Sequence, residues 1–293
     1  MIRPAAVGPT PETAASNPFQ QPPPAGDLLA LARAEFDAVV GALGRAGVDV
    51  LVADDTPQPA KPDAVFPNNW FSTHPDGTGV LYPMEALNRR LERRLELLDD
   101  LAQRGLLRRK RVIDLSPREA RGEYLEGTGS LILDHQHGRG YAALSSRTHR
   151  AAVAEWSRAT GIPVTSFSTD DGNGLPLYHT NVVLSIGQRF AVICAAAIPD
   201  ATERQAVLAG LAASGRTLIE ISLAQLIEFA ANILELAAVD GHSVIAMSAT
   251  ARRSLTPPQL RALQAQGELV AIPIPTIETV GGGSVRCMLA ELY

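Results

Sequence analysis

Short apolar runs broken by tight turns, each followed by a stretch of helical period, recur along the chain at intervals of about 50 residues. Phe71–His74 and Gly79–Tyr82 flank Pro75-Asp76-Gly77, Leu131–Leu133 and Gly140–Leu144 flank residues 134–138, and Val182–Ile186 and Phe190–Cys194 flank Gly187-Gln188. Each trio reads as a β-hairpin. Helices are predicted at 28–43, 88–103, 149–160, 202–213 and 257–266, and further strands at 48–53, 64–66, 112–115, 163–167, 218–221, 244–248 and 269–274. Residues 223–236 read as a helix or partly helical loop carrying Asn232. No plain sequence repeat accompanies the pattern. Hairpins alternating with helices predict an α/β chain of layered units.

Composition narrows what those layers do. With 293 residues and 46% hydrophobic content the chain can bury a large core. Its net charge is −5 and its basic residues are scattered or paired with acids on helices, so it carries no footprint for nucleic acid. Two cysteines, no apolar run of eighteen residues and no secretory pattern at the start predict a soluble, cytoplasmic protein without a membrane partner. A small-molecule ligand is the expectation that remains. The first 26 residues are proline-rich and would pass as a disordered leader on composition, although Met1-Ile2-Arg3-Pro4 reads as a short strand entering the fold.

The chain closes on Thr276-Ile277-Glu278-Thr279-Val280-Gly281-Gly282-Gly283-Ser284-Val285-Arg286-Cys287-Met288. Glycines tolerate φ > 0 and leave room for a reacting carbon beside a sulfur, and Arg286 puts a positive charge next to Cys287 in sequence. Cys287 therefore reads either as a nucleophile or as the start of a last buried strand. Of six histidines, His179 stands out, because it follows an irregular acidic loop and opens an apolar run, where a side chain can reach a site. Glu126 sits in Glu126-Gly127-Thr128-Gly129, where flanking glycines permit a tight turn that points a carboxylate inward. Arg89, Arg90 and Arg147 are candidates to grip the carboxylate of an amino acid through a guanidinium fork, with Glu92, Arg93, Arg94 and Glu96 placed on a solvated helix face. His135 and His137 have a spacing found in metal sites but lack further ligands, and Cys194 lies in an apolar strand, so no metal or other cofactor is expected.

The closing motif resembles that of the guanidine-modifying superfamily (amidinotransferases, arginine deiminases and dimethylargininases). Pro62-Asp63-Ala64-Val65-Phe66-Pro67-Asn68-Asn69, Leu125–Gly129, Ser146-Arg147-Thr148 and Tyr178-His179-Thr180-Asn181 are similar to its other landmarks in the same order, and the citrulline-utilization branch carries the most similar segments. The resemblance implies a pentein α/β-propeller, five ββαβ units around a pseudo-five-fold axis in one domain over 1–293. It also implies Cys287 as nucleophile, His179 as general acid/base and Glu126 as the carboxylate that orients it. Asp63, Phe66, Asn69, Asn181, Arg89, Arg90 and Arg147 fall to substrate binding, and Pro11-Glu12-Thr13 with Asn17–Gln20 resembles the first substrate-side loop. Asparagine stands at 69 and 181 where arginine-acting relatives carry aspartate, and amides suit a neutral ureido group better than a guanidinium. The expected reaction is hydrolysis of citrulline to ornithine, ammonia and carbon dioxide. The alternatives are an arginine deiminase or dihydrolase, a dimethylargininase, an amidinotransferase, or a binding pentein such as the ribosome anti-association factor, with a homodimer left open.

Overall fold

The protein is described by a computed structural model covering residues 1–14 and 16–293. The described residues form five small sheets. The first pairs β1 (Ile2–Arg3) in parallel with β2 (Ala53–Asp54), and the helix Leu28–Arg45 crosses between them. Each of the other four is a hairpin extended by a parallel strand: β3 (Phe71–Thr73), β4 (Thr78–Leu81) and β5 (Arg111–Asp114); β6 (Ile132–Asp134), β7 (Arg139–Leu144) and β8 (Val164–Ser168); β9 (Leu184–Ile186), β10 (Phe190–Ile193) and β11 (Thr217–Glu220); β12 (Leu234–Ala237), β13 (Ser243–Ser248) and β14 (Glu268–Ile272). The connection between second and third strands is helical every time, through Leu95–Gln103, Arg150–Thr160, Ala201–Ala212 and Pro257–Gln264. Four units are thus ββαβ, as expected, and the fifth is completed only as βαβ.

Caps and turns in the sequence explain these boundaries. Asp27 accepts from Ala30 N–H at 3.0 Å and Asp200 from Glu203 N–H at 2.8 Å, so each helix begins one residue after an aspartate. Ser222 with Gln225 and Thr256 with Gln259 form capping boxes. Phe36, Val39 and Leu43 lie on the buried face of the first long helix and pack with Val244, Ala246 and Ile272 of the last sheet, which joins the two ends of the chain into one core cluster.

Four expectations change, and one helix appears that the sequence did not suggest. Residues 88–103 do not form one helix: Leu87–Arg90 and Leu95–Gln103 are separate, because Glu92 turns inward to a buried arginine rather than outward to water. Ala64-Val65-Phe66 is a turn followed by the 3-10 helix Pro67–Asn69, and the strand read at 48–53 is reduced to Ala53–Asp54. The segment 223–236 splits into the helix Leu223–Ile227 and β12. Pro275–Gly281 is a helix, its first N–H groups held by the Glu35 carboxylate at 2.8 and 2.9 Å, a partner 241 residues earlier in the chain.

Candidate active site

In four units a short turn precedes the first strand, and these turns meet with a fifth at the end of the chain. They are Pro67–Asn69 before β3, Gly127–Ser130 before β6, Thr180–Val182 before β9, the turn at 228–231 before β12, and Val285–Met288 at the end of the chain. Glycine makes the meeting possible at two places. Gly127 has φ +49°, and a Cβ there would collide with the main-chain carbonyl of Asn68. A Cβ on Gly281 would lie 2.7 Å from the Phe66 ring and one on Gly283 3.0 Å from it, so the glycine run is the bed on which that ring rests.

The Glu126 carboxylate is fully buried at the centre. One oxygen accepts the main-chain N–H of Glu85 at 3.1 Å, and the other accepts His179 Nε2–H at 2.8 Å. Arg147 stands 3.6 Å and Arg89 3.9 Å from the same oxygen. Burial alone would raise this carboxyl, but Arg147, the bond to His179 and Arg89 outweigh it and hold Glu126 at about 2. Burial likewise pushes His179 down to about 4 against the pull of Glu126. At neutral pH the pair is therefore a carboxylate and a neutral imidazole. With Nε2–H committed to Glu126, the lone pair is on Nδ1, which lies over Gly129.

Cys287 lies in the same pocket, 3% exposed. Its sulfur accepts from Asn181 Nδ2–H and Asn232 Nδ2–H, both at 3.3 Å. Asn232 is anchored in turn by its Oδ1, which accepts Arg286 N–H at 3.1 Å. The Arg286 guanidinium does not serve the sulfur as its place in sequence suggested: Nη1 donates to the carbonyl of Leu289 at 3.2 Å and Nη2 lies 3.9 Å from Glu291. Amide N–H groups stand at Cys287 where a cation was expected.

The remaining residues divide. Asp63, Phe66, Asn69, Arg89 and Arg147 line the pocket with His179 and Cys287. Asp63 is buried, and desolvation raises its carboxyl against the pull of Arg89 and Arg147. Arg89 is not a surface helix charge. It donates twice to Glu92 at 2.9 Å and once to Asn69 Oδ1 at 2.8 Å, and burial pushes the Glu92 carboxyl up against Arg89's pull. Arg147 donates to Ser16 Oγ and to the carbonyl of Thr13, with its guanidinium 5.1 Å from the centre of the Tyr178 ring. Arg90 turns away, donating to the carbonyls of Met84 and Glu85 beside Glu119, so its assignment to the substrate is corrected. Asn181 faces the sulfur rather than lining the pocket, and its Oδ1 is buried without a partner.

Three pocket residues lie in the loop that the resemblance marked as substrate-side but were given no individual role. Thr13, Asn17 and Gln20 roof the cavity: Thr13 donates to Asp63 at 3.3 Å, Asn17 Nδ2–H to the carbonyl of Gly282 at 3.1 Å and Gln20 Nε2–H to that of Gly281 at 3.2 Å. The proline-rich leader thus includes a wall of the site, as the loop resemblance had suggested. Asn232 also carried no assignment, and nothing around it in sequence marks it. Under this roof the free volume is about 20 Å³, less than an amino acid occupies. His137 pairs with Asp134, His135 packs on His74 and Tyr293, and among the described residues no group of three or more His, Cys, Asp or Glu side chains could hold a metal ion. None of the described helices is long and apolar enough to cross a membrane.

The sequence matches, over residues 3–293, the family described as N,N dimethylarginine dimethylhydrolase, eukaryotic. The chain belongs to this family. It is thereby a member of the guanidine-modifying pentein superfamily and of its cysteine-dependent hydrolases of guanidino carbon–nitrogen bonds. Solved structures share the fold at low identity. The N-terminal domain of ArgZ, an arginine dihydrolase from the ornithine-ammonia cycle in cyanobacteria, is 14% identical with a TM-score of 0.74, in a cysteine-to-serine variant bound to substrate; the match covers 98% of this chain and 95% of that one. AgrE in complex with L-arginine is 17% identical with a TM-score of 0.75, covering all of this chain and 40% of AgrE, so this chain spans two-fifths of that protein. A dimethylarginine dimethylaminohydrolase variant, as its adduct with S-methyl-L-thiocitrulline, is 15% identical with a TM-score of 0.64, over 98% and 96% of the two chains. No curated protein matches the chain.

Proposed function

We propose that this chain hydrolyses the guanidino carbon–nitrogen bond of a free arginine or N-methylated arginine. The observation that carries the reading is the convergence, in one closed pocket, of Cys287 with two amide donors on its sulfur and a neutral His179 held at 2.8 Å by Glu126. His179 Nδ1 takes the proton of the Cys287 thiol as the sulfur adds to the planar guanidinium carbon. The carbon–nitrogen bond then breaks as His179 delivers that proton to the departing amine, which leaves an S-linked thiouronium on Cys287 and a neutral imidazole. Water, deprotonated at His179 Nδ1, then adds to the same carbon and expels the thiolate, and a ureido amino acid is released. Glu126 keeps the imidazole in the tautomer that both half-reactions need.

Charge supports the substrate class. Asp63 lines the pocket with its carboxyl raised by desolvation, and a cationic side chain placed beside it would favour its ionised form, while Arg89 and Arg147 face Glu126. A second reading, hydrolysis of citrulline, is favoured by the neutral amides of Asn69 and Asn181 near the sulfur end, although Asn69 Oδ1 is already taken by Arg89. An end-point assay with arginine, methylated arginines, citrulline and agmatine, scoring ammonia, methylamines, citrulline and ornithine separately, decides between them. Turnover of citrulline alone would overturn the first reading, and transfer of the carbon to an added amine in preference to water would replace hydrolysis by amidino transfer.

A further inference from the structure

A second cavity, of about 780 Å³, lies behind the catalytic turns and shares no lining residue with the catalytic pocket. Its walls are the first strands β6, β9 and β12 together with residues 289–293. The volume falls within the range of sites that enclose small ligands. Two of its polar side chains keep capacity for a ligand. Ser185 is 5% exposed on β9 and its Oγ has no hydrogen bond. Arg286, also 5% exposed, binds one carbonyl through Nη1 and forms a long ion pair of 3.9 Å from Nη2 to Glu291, and among the described residues its Nε makes no hydrogen bond. A buried guanidinium with free N–H groups facing a cavity is a receptor for a carboxylate.

The other charges on the wall state what the rest of the ligand must carry. Asp134 is neutralised by Arg216 through two bonds of 2.8 Å. That leaves Glu235, Glu291 and the exposed Asp49 against Arg286 and the Met1 amino group, whose charge burial disfavours, an excess of negative charge that a carboxylate alone would worsen. We infer that this cavity binds a free dibasic amino acid, its carboxylate on Arg286 and its two ammonium groups toward Asp49, Glu235 and Glu291. The site is set by its own residues and does not depend on the proposed reaction. It nevertheless stands one residue from it, since the main-chain N–H of Arg286 holds Asn232 Oδ1 and Asn232 donates to the Cys287 sulfur.

Calorimetric titration of the whole chain with L-ornithine tests this, because ornithine has no guanidino or ureido carbon to be attacked. The expected result is saturable binding that Arg147→Ala, a change in the catalytic pocket, leaves unaltered and that Ser185→Leu, which projects a larger apolar side chain into the rear cavity that Arg286 also lines, weakens at least about tenfold. Arg286→Gln should weaken it similarly, with the melting temperature checked for both rear variants and Ser185→Leu deciding if Arg286→Gln does not fold. Putrescine, which lacks the carboxylate, and norvaline, which lacks the second ammonium, should each bind at least about tenfold more weakly than ornithine. Absence of binding at millimolar ornithine, binding indifferent to a folded Ser185→Leu, or equal affinity for putrescine or norvaline overturns the assignment. Loss of binding in Arg147→Ala moves the ligand to the catalytic pocket and overturns it as well. None of these outcomes bears on whether Cys287 turns over arginine.

Discussion

Cys194 and Cys287 are both free, both buried and both beside a 3-10 turn, yet their surroundings differ in kind. Cys194 caps Ala195–Ala197 at the end of β10 and packs within Val183, Val192, Ile193 and Ile198, where burial pushes its thiol up. Cys287 is held by two amide N–H groups in a pocket that also contains a neutral imidazole. Burial and thiol chemistry are common to both. What distinguishes them is that three polar side chains around Cys287 have partners that fix their direction, through Arg286 N–H to Asn232, Glu126 to His179, and Glu92 through Arg89 to Asn69.

The widest separation between the two regions should come from exchanging sulfur for oxygen at each. Cys287→Ser is expected to lower kcat on the order of a thousandfold or more with the fold intact, and Cys194→Ser to leave kcat within a factor of about two, judged by steady-state rates beside circular dichroism. Reversal of that order would move the site to the apolar strand. The next largest effect should follow Glu126→Gln, which keeps the shape but removes the charge that holds His179 Nε2–H. A fall in kcat of about a hundredfold is expected, with a smaller change in KM, because the loss lies in proton transfer. Equal loss in KM would make Glu126 a binding group instead.

Acid should also separate the regions. His179 is held below its unfolded value, at about 4, so between pH 6.5 and 4 the unfolded chain binds more protons and stability falls as pH falls. For a buried group this amounts to about 3 kcal/mol across that window. His74, likewise pushed down to about 4 by burial, contributes in the same direction. His179→Gln should therefore flatten part of the decline in melting temperature below pH 6.5, whereas Cys194→Ser should not change its slope. An unaltered slope in His179→Gln would mean that the imidazole is not held neutral by burial.

The smallest predicted effect concerns substrate choice. Asn69→Asp places a carboxylate against Arg89 and the pocket, and the ratio of kcat/KM for arginine over citrulline should rise about tenfold. A ratio that stays put would show that the amide at 69 positions Arg89 and does not select the headgroup.

How far the sequence alone reached is told by particular residues. The hairpins at 71–82, 132–144 and 184–193 were legible because their alternation and turns are local. The Pro275–Gly281 helix was not, since its N-terminal N–H groups are satisfied by Glu35, which no window around them contains. Glu92 reads as one more charge on a wet helix, and only the fold shows that the chain breaks there to bury it against Arg89. Cys287, His179 and Glu126 stood out through their motifs and are brought together, whereas Arg286 was misjudged because adjacency in sequence does not fix the direction of a side chain. Asn232 follows the turn 228–231 with no polar neighbour to mark it, and its place at the sulfur is a product of five turns meeting.

The claim on which the rest depends is that the reacting carbon becomes bonded to Cys287. Intact-mass spectrometry of the wild-type chain, quenched in acid during turnover of arginine and followed by peptide mapping, measures this directly. The account predicts a mass increase equal to arginine less ammonia, the S-linked thiouronium that still carries the amino acid, confined to the peptide carrying Cys287 and absent from Cys287→Ser. Turnover with no adduct at any quench time, or an adduct on the peptide carrying Cys194, would contradict it.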